Sequence, residues 1–184
     1  MLIVDLDLAD DTMVGRVAQI LVDAFAGTGT SSWRTLEDAV EAVREFADVD
    51  RVARVALDDN GTVLGWVGGI FGYGGRVLEL HPLAVRPDRQ RRGIGRVLVE
   101  ELERIASERG VHTIWLGADD EADRTSLGGV DLWPNPLEHL HRLQDRTGHP
   151  MGFYLKCGFV PTGVLPDANG PGRPDIFFAK RVQS

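Results

Sequence analysis

The sequence predicts an α+β fold in which helices flank a mixed, mostly antiparallel sheet. Three observations carry that expectation. Segments with helical apolar spacing come early in the chain, at Val14 to Phe25 and Leu36 to Phe46. Two apolar runs, Val52 to Leu57 and Val63 to Phe71, flank Asp58-Asp59-Asn60-Gly61, where Asn-Gly is a strong hairpin signal because both residues tolerate positive φ. A further strand-like run, Val77 to Val85, passes through a basic, glycine-containing loop into an amphipathic helix.

The elements follow in chain order. Leu2 to Leu8 alternates apolar and acidic residues and reads as a first strand. The two helical segments come next, joined by a polar loop, Gly27 to Ser32. The hairpin strands follow, then Val77 to Val85, which Pro82 interrupts. A proline removes a ladder donor, so a β-bulge is expected near Pro82. Ile94, Val97, Leu98, Leu102, Ile105 and Ala106 fall on one helical face, and Gly110 is a suitable stop. A short strand spans Thr113 to Leu116. The polar, glycine-rich stretch from Asp119 to Asn135 reads as loop or short helical turns. Leu137 to Leu143 and Gly152 to Cys157 read as helices, and Phe159 to Val164 and Asp175 to Val182 as closing strands.

The chain has 184 residues, 43% hydrophobic and 26% charged, which suits one globular domain over 1–184. No apolar run approaches the roughly 20 residues that span a bilayer. The acidic N-terminus does not read as a secretory signal, and a single cysteine, Cys157, excludes an internal disulfide. A cytoplasmic, reducing location is expected. The formal net charge of −8 argues against nucleic acid or an anionic membrane as partner and permits a cationic substrate. No His or Cys spacing suits zinc, so no metal is expected.

The most informative stretch is Val85-Arg86-Pro87-Asp88-Arg89-Gln90-Arg91-Arg92-Gly93-Ile94-Gly95-Arg96. A glycine loop opening a helix gathers backbone N–H donors at the positive end of the helix dipole, a setting for an anion. Gly93 and Gly95 allow close backbone approach. Arg91, Arg92 and Arg96 add positive charge, and a diphosphate is the expected ligand. The plainer reading is a strand–turn–helix with solvated arginines. Neither the Walker Gly-Lys-Ser/Thr nor G-x-G-x-x-G is present. The pattern that is present, Gln90-x-x-Gly93-x-Gly95, is similar to the pyrophosphate loop of the GCN5-related N-acetyltransferases (GNAT), which bind acetyl-CoA.

Further blocks resemble the aminoglycoside 6′-N-acetyltransferases within that superfamily. They are Glu79-Leu80-His81-Pro82-Leu83-Ala84-Val85, Trp115-Leu116-Gly117-Ala118-Asp119-Asp120, Thr125-Ser126-Leu127 and Val130-Asp131-Leu132. His149-Pro150, Phe153-Tyr154, Gly158-Phe159, Gly163 to Gly170, Pro174-Asp175-Ile176 and Ala179-Lys180 continue the series. Together they cover most of residues 66–182. Two departures stand out: Leu78 where the family usually has Trp, and Gly152 where it usually has Glu. The first is expected to reshape a wall of the acceptor site, the second to remove a negative charge near it.

The resemblance implies acetyl-CoA-dependent transfer to the 6′-amine of an aminoglycoside, in a ternary complex and a homodimeric protein. It implies that Leu83, Ala84, Val85, Gln90, Arg91, Arg92, Gly93, Ile94, Gly95, Arg96 and Tyr154 hold acetyl-CoA. Glu79 holds or deprotonates the acceptor amine, directly or through water; the plainer alternative is a strand glutamate facing solvent or an arginine. His81, two residues on and on the same strand face, assists proton transfer or is a hydrogen-bonded histidine beside the bulge. The Leu83 N–H is the expected oxyanion donor. Tyr154 gives a proton to the CoA sulfur or is a packing aromatic. Asp119 and Asp120 attract a cationic acceptor, while Glu121 and Asp123 read as a solvated loop. Trp33 stacks on a sugar ring or has a core or lid role. Two other readings stay open: a GNAT enzyme for a polyamine-like or protein amine, and a non-catalytic acyl-CoA-binding module.

Overall fold

The computed structural model describes residues 1–28 and 32–183. The expected loop Gly27 to Ser32 therefore lies partly outside the described residues. Two compact units appear: residues 1–27, 32–114 and 182–183, and residues 115–181 with Thr28.

In the first unit, four antiparallel strands run in spatial order β1 (Leu2–Asp5), β2 (Arg51–Leu57), β3 (Val63–Gly72) and β4 (Val77–Val85). β1 stops earlier than its alternating pattern suggests. The Asp7 carboxylate accepts from Ala9 N at 2.9 Å and its carbonyl from Asp10 N at 3.3 Å, so the chain turns there. Asp10 then caps α1 (Asp11–Phe25), accepting from Thr12 N and Met13 N. Thr35 and Asp38 form a capping box on α2 (Leu36–Arg44). The β2–β3 hairpin departs from the expected form: Gly61 has φ of +77° and Asn60 has no positive φ. The turn is instead closed by Asp58, whose carboxylate accepts from Asn60 N and Thr62 N.

Apolar faces explain the layering. Val14, Val17, Ala18 and Leu21 of α1 and Ala39 and Val43 of α2 are buried in one cluster with Val55, Trp66 and Ala84 of the sheet. α3 (Ile94–Glu108) covers the opposite face, where Leu102 meets Gly69 beside Leu78 and Val52. Arg54 of β2 bonds Glu101 of α3 at 2.6 and 2.8 Å and also pairs with Asp5 of β1.

In the second unit, which takes in β5 (Thr113–Asp119) from Trp115 onward, β5 is followed in space by β7 (Asp175–Arg181) and β6 (Val160–Leu165), with β6 and β7 antiparallel. β5 extends three residues beyond the expected end at Leu116, and the chain is held just past it by Asp120 N donating to the Pro174 carbonyl at 3.0 Å. α4 (Pro136–His141) and α5 (Met151–Lys156) are single short helices.

Candidate active site

β4 supplies the chemistry-bearing residues of the first unit. Its register against β3 steps between Val67↔Leu83 and Gly69↔Leu80, so His81 and Pro82 together face Gly68. This is the bulge expected near Pro82. It inverts the side-chain alternation. Glu79 lies in one row with Ile70 and Arg51, whose guanidinium sits over the Phe46 ring on the α2 face. Beyond the bulge Ala84 pairs with Trp66 and shares that face. The Leu83 side chain is therefore on the other face.

The bulge also sets the direction of backbone donors. Arg86 N donates to the Leu64 carbonyl at 2.9 Å, which fixes the phase of the ladder. Hydrogen-bonded pairs alternate along an antiparallel ladder, so Ala84 faces β3 while the N–H groups of Leu83 and Val85 turn away from it.

Glu79 is half-buried, and desolvation raises its pKa above the ordinary carboxylate value, opposed by the distant positive charge of Arg51. The His81 ring is 5.5 Å from Trp33, which packs edge-on against Phe25 at 4.8 Å. The structure thus brings Glu79, His81 and Trp33 to one side of the first unit. Leu78 is not on that side. It is fully buried toward α3 beside Gly69, on the opposite face from Glu79.

The loop after β4 is stiff. Pro87–Arg89 forms a short 3₁₀ turn, and the Gln90 side chain donates to the Val85 carbonyl at 3.1 Å. Gln90 thus braces the loop with the amide of its own side chain. Arg91 has φ of 59°, and Gly93, the N-cap of α3, has φ of 87°. The first turn bond of α3 is Val97 N to the Gly93 carbonyl, so the N–H groups of Ile94 and Gly95 lie ahead of the helix's own ladder. An added Cβ at Gly93 would meet nothing, so its requirement there is the positive φ rather than space. Arg86 is forked onto Asp88 at 3.0 Å through both contacts, and Arg89 also reaches Asp88. Arg91 and Arg92 are exposed. The donor set fits a diphosphate: helix-start amides with cationic side chains beside them.

The second unit holds the remaining candidates. Tyr154 on α5 is half-buried among Phe153, Phe159 and Phe178, with ring centroids 5.2, 5.8 and 6.3 Å away. Burial pushes its phenol well above its ordinary pKa, so it carries its proton at neutral pH. Asp119 is exposed at the end of β5, where its carboxylate accepts from Asn169 Nδ2 at 2.5 Å. Asp120 is 1% exposed, and its carboxylate accepts from Arg124 N, Thr125 N and Thr125 Oγ1 at 2.7–2.8 Å. Those hydrogen bonds hold its pKa below the carboxylate norm against the effect of burial. Asp120 thus shapes the loop that begins at Asp119.

Sequence reasoning assigned no role to His149, Asn169 or Asp145. His149 is buried between the Asp119 carbonyl and Met151 N. Asp145 Oδ2 lies 3.7 Å from where a Cβ at Gly152 would stand, so a carboxylate remains beside the position where the family usually has Glu. The block containing His149-Pro150 was the available signal, but the residue types alone named no contact. The carboxylate of Asp175 crosses over Gly117, 2.6 Å from an added Cβ. A concavity of about 540 Å³ in this unit is lined in part by Asp131, Trp133 and Asp167. Among the described residues, no group of three or more His, Cys, Asp or Glu is arranged to hold a metal. No described helix is long and apolar enough to cross a membrane.

Residues 16–128, more than half of the chain, match the model of the acetyltransferase (GNAT) family. The chain belongs to that family. More particularly, it is similar to an aminoglycoside 6′-N-acetyltransferase solved in complex with coenzyme A, at 33% identity and a TM-score of 0.90 over 100% of this chain and 98% of that one. It is similar in the same way to the aminoglycoside 6′-N-acetyltransferase from Enterococcus faecium, at 33% identity and a TM-score of 0.88, again over 100% and 98%. A curated relative, an uncharacterized N-acetyltransferase of Chlorobaculum tepidum, is 31% identical over 109 residues, 59% of this chain and 62% of that relative. The match therefore spans less than two thirds of the curated relative's length.

Proposed function

We propose that the protein transfers the acetyl group of acetyl-CoA to the 6′-amine of an aminoglycoside. One observation carries the reading: a single strand, β4, presents a half-buried carboxylate before its bulge and leads through the loop of residues 86–93 to the helix start of α3. The loop amides of Ile94, Gly95 and Arg96, with Arg91 and Arg92, hold the diphosphate of CoA. Leu83, Ala84 and Val85 receive the adjoining arm along β4, where the N–H groups of Leu83 and Val85 turn away from β3.

When bound, acetyl-CoA supplies an activated thioester. The chain's own residues do the rest. Glu79 holds the acceptor ammonium and removes its proton, since an alkylammonium of pKa near ~10 is not a nucleophile at neutral pH. Its raised pKa makes it a better base than an exposed glutamate. The Leu83 N–H donates to the acetyl oxygen as negative charge grows there. Tyr154, protonated at neutral pH, returns a proton to the departing sulfur. Asp119 attracts the cationic acceptor, helped by a net charge of −8. Trp33 and His81 border the amine. The reading includes a cytoplasmic homodimer.

An acceptor screen that follows release of the CoA thiol tests the proposal. Saturable turnover of kanamycin-type compounds, at kcat/KM well above that for polyamines or peptides, supports it. Turnover of polyamines or peptides alone moves the acceptor class while keeping the acetyltransferase. Tight CoA binding without transfer to any amine overturns the enzymatic reading.

A further inference from the structure

His149 is 3% exposed and lies between two structures that carry proposed functional residues. Its Nδ1 accepts from Met151 N at 3.1 Å, at the first turn of α5, which bears Tyr154. Its Nε2 is 3.2 Å from the backbone carbonyl of Asp119, at the end of β5. Nδ1 accepts, so the ring proton sits on Nε2 and is donated to that carbonyl. Both bonds exist together only in the neutral Nε2–H tautomer.

The helix depends on its tethers. α5 has six residues, too few for independent helical stability, so its direction depends on what grips its ends. The far end is tied by Phe159 N to the Tyr154 carbonyl at 3.1 Å. The near end depends on the His149 ring. The ring is itself fixed, because Asp145 Oδ1 accepts from Gly148 N at 2.8 Å and from His149 N at 3.0 Å.

We propose that His149 is a positioning residue for acetyl transfer, joining the helix of Tyr154 to the strand end of Asp119 through one buried imidazole. The inference rests on the roles given to Tyr154 and Asp119 above. Protonation places a second N–H at Nδ1, donor against donor with Met151 N, and releases the helix. The charged and polar groups facing the ring are the carboxylates of Asp120 and Asp145 and the carbonyls of Ala118 and Asp119, all of which favour the imidazolium; burial outweighs them and lowers the pKa. The ring is therefore neutral at physiological pH, and the release belongs to mildly acidic conditions below the ordinary histidine value.

The test compares His149→Ala with His149→Asn. Asparagine keeps an acceptor for Met151 N two residues on and loses the titrating ring. The expected result is a fall in kcat of about a hundredfold for His149→Ala and about tenfold for His149→Asn, with CoA affinity unchanged in both. In the acid limb, the slope of log kcat/KM against pH is lower by one in His149→Asn than in wild type. Equal kcat losses with an unchanged slope, or full activity in His149→Ala, overturn the proposal. Nitrogen-15 spectra of the wild-type protein supply a measurement that needs neither turnover nor a folded variant. Support is an Nε2–H tautomer whose titration midpoint, below 6.5, is shared by the amides of Met151 to Tyr154 and of Asp119 and Asp120. An Nδ1–H tautomer, or amides that ignore the midpoint, refutes it. If wild type acetylates no amine, the proposed function fails while these spectra still decide the tether.

Discussion

Gly68→Ala probes the bulge on which the proposed catalytic arrangement depends. Gly68 sits on β3 where the register steps past His81 and Pro82. A Cβ there would collide with the Phe46 ring and the His81 carbonyl. Neither gives way easily. Phe46 is 8% exposed, packs edge-on against Trp66 at 5.5 Å and lies beneath the Arg51 guanidinium. The carbonyl is backbone within the bulge itself. Overpacking of this kind costs about 1–3 kcal/mol, offset by up to about 1 kcal/mol from the reduced freedom of the unfolded chain. A net loss of about 1–2 kcal/mol lowers Tm by roughly 2–8 °C in a domain of this size. Because the displaced carbonyl lies between Glu79 and Leu83, kcat should fall by about a hundredfold, the consequence of a misplacement near 1 Å. Gly72→Ala on the same strand is the control: its φ is −124° and an added Cβ meets nothing within 4 Å. Calorimetric melting and steady-state kinetics of both variants are the assay. If Gly68→Ala melts with Gly72→Ala and keeps wild-type kcat, the bulge does not position the site.

Three other perturbations separate the roles assigned above. Glu79→Gln should lower kcat by roughly 10²–10⁴-fold and leave the CoA dissociation constant unchanged in calorimetry; equal losses in both would mark a structural residue. The base must be ionised and its pKa is raised, so wild-type activity should climb with pH through an inflection above the ordinary value of 4.5, and that inflection should be absent from the variant's profile. Arg91→Ala with Arg92→Ala should weaken CoA binding, more at low salt than at high salt, because screening already reduces the contribution of exposed arginines; a salt-independent change would count against a diphosphate ligand. Glu101→Gln should destabilise the fold by about 1–2 kcal/mol at pH 7, allowing for solvent screening of the pair. Arg104 and Arg54 hold the Glu101 carboxyl at about 2, below its ordinary 4.5, so wild type should lose this contribution as pH falls from 4.5 toward 2. Denaturant midpoints that keep the same wild-type-to-variant gap across that window would refute the assignment.

Local chemistry made much of this molecule legible. Periodicity placed α1, α2 and α3, and Asn60-Gly61 marked the β2–β3 hairpin, although it is the Asp58 carboxylate and the positive φ of Gly61 that shape its turn. The loop of residues 86–93 was readable because the role proposed for it resides in backbone amides and glycine, which sequence displays directly. Side chains whose task depends on partners distant in sequence were not readable. Asp120 looked like its neighbour Asp119, yet one is buried and bonded to Thr125 while the other is exposed and meets Asn169, fifty residues away. His149 carried no spacing cue because its two partners are a helix start and a strand end joined only by the fold.

The bulge shows why a proline belongs in this strand. In a regular strand, Glu79, His81 and Leu83 would share a face, as period-two spacing implies. The extra residue at His81–Pro82 breaks that rule after His81, so Glu79 stays on the α2 face with Arg51 while the Leu83 side chain goes to the α3 face. The reaction proposed here asks one strand for two different things, a carboxylate to take a proton and a main-chain N–H to meet an oxygen. A side chain projects from the face of a sheet, whereas an N–H lies in its plane. Shifting the alternation turns the Leu83 side chain toward the α3 face and leaves its N–H turned away from β3. The strand then presents the carboxylate and the amide in different directions, with no second strand required to supply either.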